Sequence, residues 1–193
     1  MNSKNQKRLL KDVVEIMKHP LNKDGIYYKH DDENMLHGYA MVIGPSDTIY
    51  NFGYYFFEFK YPKDYPFSPP KVIYHTNNEN VRMHPNLYRN GKVCLSLLNT
   101  WRGEQWTSCQ SIKTILLTLI TLFTNKPLLN EPGIKENYKY FGEYNEIIRW
   151  ANFKVSINDV LNNKICSNFN SIFKKEILFE YKKNKDNIKK NIE

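Results

Sequence analysis

The chain has 193 residues, is 15% aromatic with 14 Tyr and 11 Phe, and carries a formal net charge of +8. That length supports one domain with a true core plus an appendage, and so many large side chains exclude a disordered chain. The charge excess sits at the two ends, where residues 1–18 hold Lys4, Lys7, Arg8, Lys11 and Lys18 against Asp12 and Glu15, and residues 181–193 hold five lysines against Asp186 and Glu193; without a groove-reading element carrying interleaved aromatics, this reads as solvated surface or a docking surface for acidic proteins, and nucleic acid is not an expected partner.

Leu9, Leu10, Val13, Val14 and Met17 recur at helical spacing with lysines opposite, which predicts an amphipathic helix over 3–18 whose apolar stripe is core. Four extended segments follow, at 26–30, 36–43, 54–61 and 72–74; in the third, Tyr55, Phe57, Phe59 and Tyr61 share one face, and Glu58 and Lys60 the other. Their connections are shorter than the dozen or so residues of a parallel crossover, so the sheet is expected to be an antiparallel meander. Between the last two strands, Tyr65-Pro66-Phe67-Ser68-Pro69-Pro70 makes a stiff loop, because proline lacks a donor and restricts the residue before it.

Residues 84–98 begin His84-Pro85-Asn86 and turn at Asn90-Gly91, a pair that tolerates positive φ, to present Cys94 at the head of a short apolar run. Read alone, Cys94 is equally well one more buried small hydrophobe. Ser108-Cys109-Gln110-Ser111 reads as a helix cap, followed by a helix from 112 with Ile112, Ile115, Leu116, Leu119 and Phe123 as its core stripe. Leu117 lies roughly 120–140° from that stripe, beside Lys113, Thr114 and Thr121, and should be exposed. A further helix is expected over 145–161, and Phe169, Ile172, Phe173, Ile177 and Tyr181 mark another that ends in a lysine-rich tail. The expected division is a catalytic domain over 1–161 and a helical extension with a basic tail over 162–193.

The three cysteines are odd in number, show no paired metal-ligand spacing, and come without an N-terminal apolar signal core. Reduced thiols in an intracellular, cytoplasmic or nuclear protein are expected, with no metal. No apolar run approaches the ~20 residues needed to span a bilayer, so a soluble protein with no membrane partner is expected.

His-Pro-Asn, a turn, and a cysteine eight residues after the asparagine, followed by a tryptophan region and a long amphipathic helix, resemble the ubiquitin-conjugating enzymes. The string over 84–101, with Asn130-Glu131-Pro132-Gly133 downstream, is similar to a narrower branch that includes the Z-type conjugating enzyme and the catalytic domain of the giant inhibitor-of-apoptosis conjugating protein. The resemblance covers about residues 5–152, and its separated motifs agree in order and spacing. It implies an α+β fold with an N-terminal helix, a four-stranded antiparallel meander, an active-site loop, a central helix and C-terminal helices.

The resemblance also implies chemistry. An enzyme of this kind accepts ubiquitin or a ubiquitin-like modifier from an activating enzyme as a cysteine thioester and passes it to a substrate lysine, usually with a ligase; ATP is used by the activating enzyme, so no cofactor is expected. Cys94 would be the nucleophile, and a free thiol is ionised enough at neutral pH to exchange thioesters without a triad. Asn86 would donate to the oxygen that turns anionic as the amine attacks, or would brace its loop; His84 and Pro85 would shape that loop. Asn130 and Glu131 are candidates to orient and desolvate the incoming amine, which must lose a proton to react, although they equally read as the start of a turn. The implied contacts for ligase and activating enzyme are Lys7, Arg8, Pro66, Phe67, Ser108 and Cys109, and Leu117 and Thr121 would face the carried modifier. Ser108-Cys109 stands where relatives of the branch tend to show Pro-Ala. A Cys/His hydrolase using His84 or His75 is the competing class; it would need an orienting third residue and an oxyanion hole that no motif singles out. A catalytically dead adaptor is the third, and the retained Cys94 and Asn86 argue against it.

Overall fold

A computed structural model describes residues 3–78 and 80–190. Helix α1, Ser3–Lys18, buries Leu9, Val13 and Ile16. Leu10, Val14 and Met17, expected in the same core stripe, are exposed: one face of a 3.6-residue period can meet the sheet, and Ile16 takes the inner position instead. Strands β1 (Ile26–His30), β2 (His37–Ile43), β3 (Tyr54–Lys60) and β4 (Lys71–Tyr74) form one sheet in the order β1-β2-β3-β4, antiparallel throughout. The register sets Ile26 opposite Val42, Val42 opposite Tyr55, and Phe57 opposite Tyr74.

The strand period of two then sorts the side chains. Val42, Tyr55, Phe57 and Phe59 join Leu9, Val13 and Ile16 of α1 and Ile112, Ile115, Leu116 and Leu119 of the central helix α2 (Ile112–Ile120) in the principal core. Beyond the polar pair Glu58 and Lys60, the opposite face is buried too. Tyr27, Met41, Ile43, Tyr54 and Phe56 lie under Ile157, Val160, Phe169, Phe173, Ile177 and Ile188.

The helices covering that second face differ from the expected ones. The helix placed over 145–161 starts earlier, as α3 (Phe141–Ala151), and continues into a π-helical stretch, Asn152–Asp159. In that stretch the Asn152 side chain accepts from Tyr55 Oη at 2.6 Å and donates to the Asn51 carbonyl at 3.0 Å. The last amphipathic segment is broken into α4 (Ser167–Ile172) and α5 (Lys174–Lys190). The break at Phe173 lets Phe169, Phe173 and Ile177 all reach the sheet. Residues of the expected extension therefore share a core with β1, β2 and β3. No helix among the described residues is long and apolar enough to cross a membrane.

Candidate active site

Between β4 and α2 the chain folds into a loop that lies along the outer edge of β4, bridging Ile73 through Lys92. His84 bridges Leu87, and Leu87 bridges Val93, so residues 84–94 close on themselves. At the tip, Gly91 has φ +85°, and a Cβ there would sit 2.9 Å from Ile73 Cγ2 and 3.0 Å from the Tyr74 carbonyl. Glycine is required twice over, for its conformation and for the close approach that lets its carbonyl accept the Tyr74 N–H at 2.8 Å.

The loop's inner edge carries the candidate nucleophile. Cys94 donates its N–H to the Asn86 carbonyl at 2.9 Å, and its own carbonyl accepts from Asn86 Nδ2 at 2.6 Å. One residue thus grips both main-chain groups of the cysteine, which fixes where its side chain can point. Asn86 is buried, and its Oδ1 has no hydrogen-bond partner. Thr100 closes the other side: its hydroxyl donates to the Val93 carbonyl at 2.7 Å and accepts from the Leu95 N–H at 2.9 Å, on either side of Cys94. Cys94 is only 1% exposed.

His84 is buried beside Tyr50, whose hydroxyl donates to the Met83 carbonyl at 2.8 Å. Its Nδ1 accepts the Asn86 N–H at 3.0 Å, which leaves the proton of the neutral ring on Nε2. Burial, with a lesser contribution from the Arg82 charge, pushes its pKa down to about 3, partly offset by the Leu122 carbonyl. At neutral pH this imidazole is uncharged, and it shapes the loop through Asn86. Neither His84 nor His75 hydrogen-bonds the Cys94 sulfur; His75 instead faces Glu58 at 3.2 Å. The base–nucleophile pair of a Cys/His hydrolase is not built here.

A second segment meets the loop from below α2. A short 3₁₀ turn, Pro127–Asn130, brings the Asn130 amide to 3.5 Å from His84 Nε2 and lets it donate to the Pro127 carbonyl at 3.1 Å. Glu131 follows, with its carboxylate 3.6 Å from Arg82 Nη2. Both partners are partly exposed, at 35% and 41%, so the pair contributes about 0–1 kcal/mol to stability. Arg82 also donates to the Pro85 carbonyl and stacks over Tyr88 at 4.0 Å. The structure therefore gathers Cys94, Asn86, His84, Pro85, Asn130 and Glu131 in one place. It adds Arg82, Thr100 and Tyr88, which sequence reasoning did not single out; a basic residue two places before His84 was the available signal for Arg82.

The residues expected to meet partners lie elsewhere. Arg8 of α1 donates to the carbonyls of Ser108 and Gln110, both at 2.6 Å, and pairs with Asp12 at 3.1 Å, so its charge is already engaged in holding the loop before α2. Trp106 Nε1 donates to the Pro66 carbonyl at 2.7 Å and joins that loop to the proline-rich one. Pro66 is buried beneath this contact, while Phe67 is 73% exposed and Lys7, Ser108 and Cys109 are exposed with it. Leu117 is exposed on α2, and Thr121, one turn on, caps the helix and is exposed as well.

The chain matches known proteins over most of its length. The family model described as "Ubiquitin-conjugating enzyme" matches residues 8–151. The chain is 40% identical over 161 residues to the human protein "Ubiquitin-conjugating enzyme E2 Z", covering 81% of this chain and 45% of that protein. It is 40% identical over 162 residues to the protein of the same name from Danio rerio, covering 82% and 48%. With "Probable ubiquitin-conjugating enzyme protein 17" of Caenorhabditis elegans, identity is 35% over 185 residues, covering 89% of this chain and 25% of that one. The chain spans about half the length of the vertebrate relatives it matches.

Proposed function

Because the chain belongs to the ubiquitin-conjugating enzyme family, we propose that it accepts ubiquitin or a ubiquitin-like modifier from an activating enzyme as a thioester on Cys94 and transfers it to a substrate lysine, with a ligase as the usual third partner. The observation that carries this reading is the double grip of Asn86 on the Cys94 main chain. It presents a cysteine in a fixed orientation with no histidine on its sulfur, which suffices for thioester exchange and lacks the paired base of a Cys/His hydrolase.

In the loading step the Cys94 thiolate attacks the carbonyl carbon of the modifier's C-terminal thioester, and the activating enzyme's cysteine departs as thiolate. In the transfer step a neutral amine attacks the new thioester, the C–N bond forms, Cys94 leaves as thiolate, and the surplus proton on nitrogen passes to water. Negative charge gathers on the carbonyl oxygen between these events. Asn86 Nδ2 has a second N–H beyond the one given to Cys94, and a single donor of this kind is worth about 100-fold in rate.

Crossing two activating enzymes with two modifiers in the presence of ATP tests the reading. A thiol-sensitive adduct with one combination supports it and identifies the modifier; no adduct with any combination, or cleavage of a linear ubiquitin fusion instead, overturns it.

A further inference from the structure

Arg82 lies where the two halves of the site meet. Its guanidinium stacks over Tyr88 at 4.0 Å and donates to the carbonyl of Pro85 in the nucleophile's loop. Its Nε is buried with no partner. These contacts fix the planar group from one side. On the other side stands Glu131 at a looser 3.6 Å, next to Asn130, whose side chain lies 3.5 Å from His84 Nε2. The carboxylate is thus held at the edge of the site by a cation that is itself clamped to the catalytic loop.

A bare carboxylate at that position would be a hazard for aminolysis. A negative charge within about 4–6 Å favours the ammonium form of a lysine and raises its pKa by about 1–3 units, from a starting value near 10.4. Each added unit removes about nine-tenths of the neutral amine that can attack. Resting on the conjugating reading above, we propose that Arg82 is a positioning residue for the transfer step: it neutralises Glu131 in a pair tied to the catalytic loop, so that Glu131 can orient an acceptor lysine without stabilising its protonated form.

The other ionisable groups that face this pair do not mimic the effect. His84 titrates at about 3, and Tyr144 of α3 is pushed upward by burial, a rise that the Arg82 charge opposes and Glu131 adds to. Tyr88 lies under the guanidinium, and Lys92 Nζ stands 5.7 Å from the same ring.

The full chain preloaded with ubiquitin and chased with free L-lysine, without ligase, between about pH 7 and 9 provides the test. Arg82→Gln leaves the carboxylate bare; discharge at pH 7 should fall about 10-fold and the rising limb of the pH profile should move up by about one unit. Arg82→Lys should keep the parental limb. Glu131→Gln alone, which leaves an unopposed cation, should move the limb the opposite way, and the double variant should return it to the parental position. Between pH 7 and 9 a displaced limb is a uniform fall in rate, which a purely structural arginine would also give, so a double variant as slow as Arg82→Gln overturns the proposal. So does an unshifted limb in Glu131→Gln, a measurement that stands even if Arg82→Gln does not fold. A parent chain that loads neither ubiquitin nor a ubiquitin-like modifier from any activating enzyme would overturn the conjugating reading and this inference together.

Discussion

Asn86 makes two separable demands on a substitution. Its backbone bond to the Cys94 N–H survives in Asn86→Ala, whereas the 2.6 Å bond from Nδ2 and any donor toward the reacting oxygen are lost. Loading should therefore remain near the parental rate while discharge onto free lysine slows by about 10- to 100-fold; equal discharge by variant and parent would leave Asn86 a bracing residue alone. His84 supports a prediction in pH rather than rate. Its folded pKa of about 3 lies below the roughly 6.5 of an unfolded histidine, so the unfolded chain binds more protons between those values. The stabilisation is fully present above about pH 6.5 and is lost as pH falls toward 3, at up to about 1.4 kcal/mol per pH unit. His84→Gln keeps an acceptor for the Asn86 N–H, so urea midpoints at pH 7 and pH 5 should differ less in the variant than in the parent; equal differences would contradict the assignment. At this scale Cys94, Asn86 and His84 were legible because they stand in one short motif. Arg82 and Thr100 were not, because their partners are set by how three loops converge, which leaves no period or spacing in the chain.

Helix α2 offers a test in which exposure and function separate. Leu117 is 38% exposed, so Leu117→Arg should change stability by no more than about 0.5 kcal/mol. If the carried modifier packs on this face, the variant should load normally yet transfer about 10-fold more slowly when a cognate ligase is present; parental transfer would make Leu117 an ordinary surface leucine. The helices at the C-terminal end make the opposite prediction. Phe173 is fully buried and stacks near Phe56, with ring centroids 6.1 Å apart, so Phe173→Ala should cost about 3–5 kcal/mol. Removing residues 164–193 would uncover Tyr54, Phe56 and Met41 and should abolish a cooperative thermal transition; a truncated chain that melts like the parent would show that this cover is dispensable. The meander was readable because short connections leave antiparallel pairing as the remaining choice. The burial of its second face was not: the apolar spacing of residues 169–181 announces an amphipathic helix but not which surface it meets, and the break at Phe173 carries neither glycine nor proline to mark it.

Across the whole molecule, one four-stranded sheet is shared by two cores, and the candidate site stands on the loops beside its β4 edge. The exposed Phe67, Ser108 and Cys109 occupy loops joined through Arg8 and Trp106, so the residues expected to meet partners are coupled to α1 and to the principal core rather than hanging free. The central claim is that Cys94 alone carries the modifier, and the site of attachment tests it most directly. Incubating the parent, Cys94→Ser and Cys94→Ala with activating enzyme, modifier and ATP, and locating the adduct by peptide mass mapping, should give a thiol-labile bond at position 94 in the parent. The serine variant should carry a thiol-resistant oxyester at the same position, and the alanine variant nothing. An adduct that persists in Cys94→Ala, at Cys109, Cys166 or any other residue, would contradict the account.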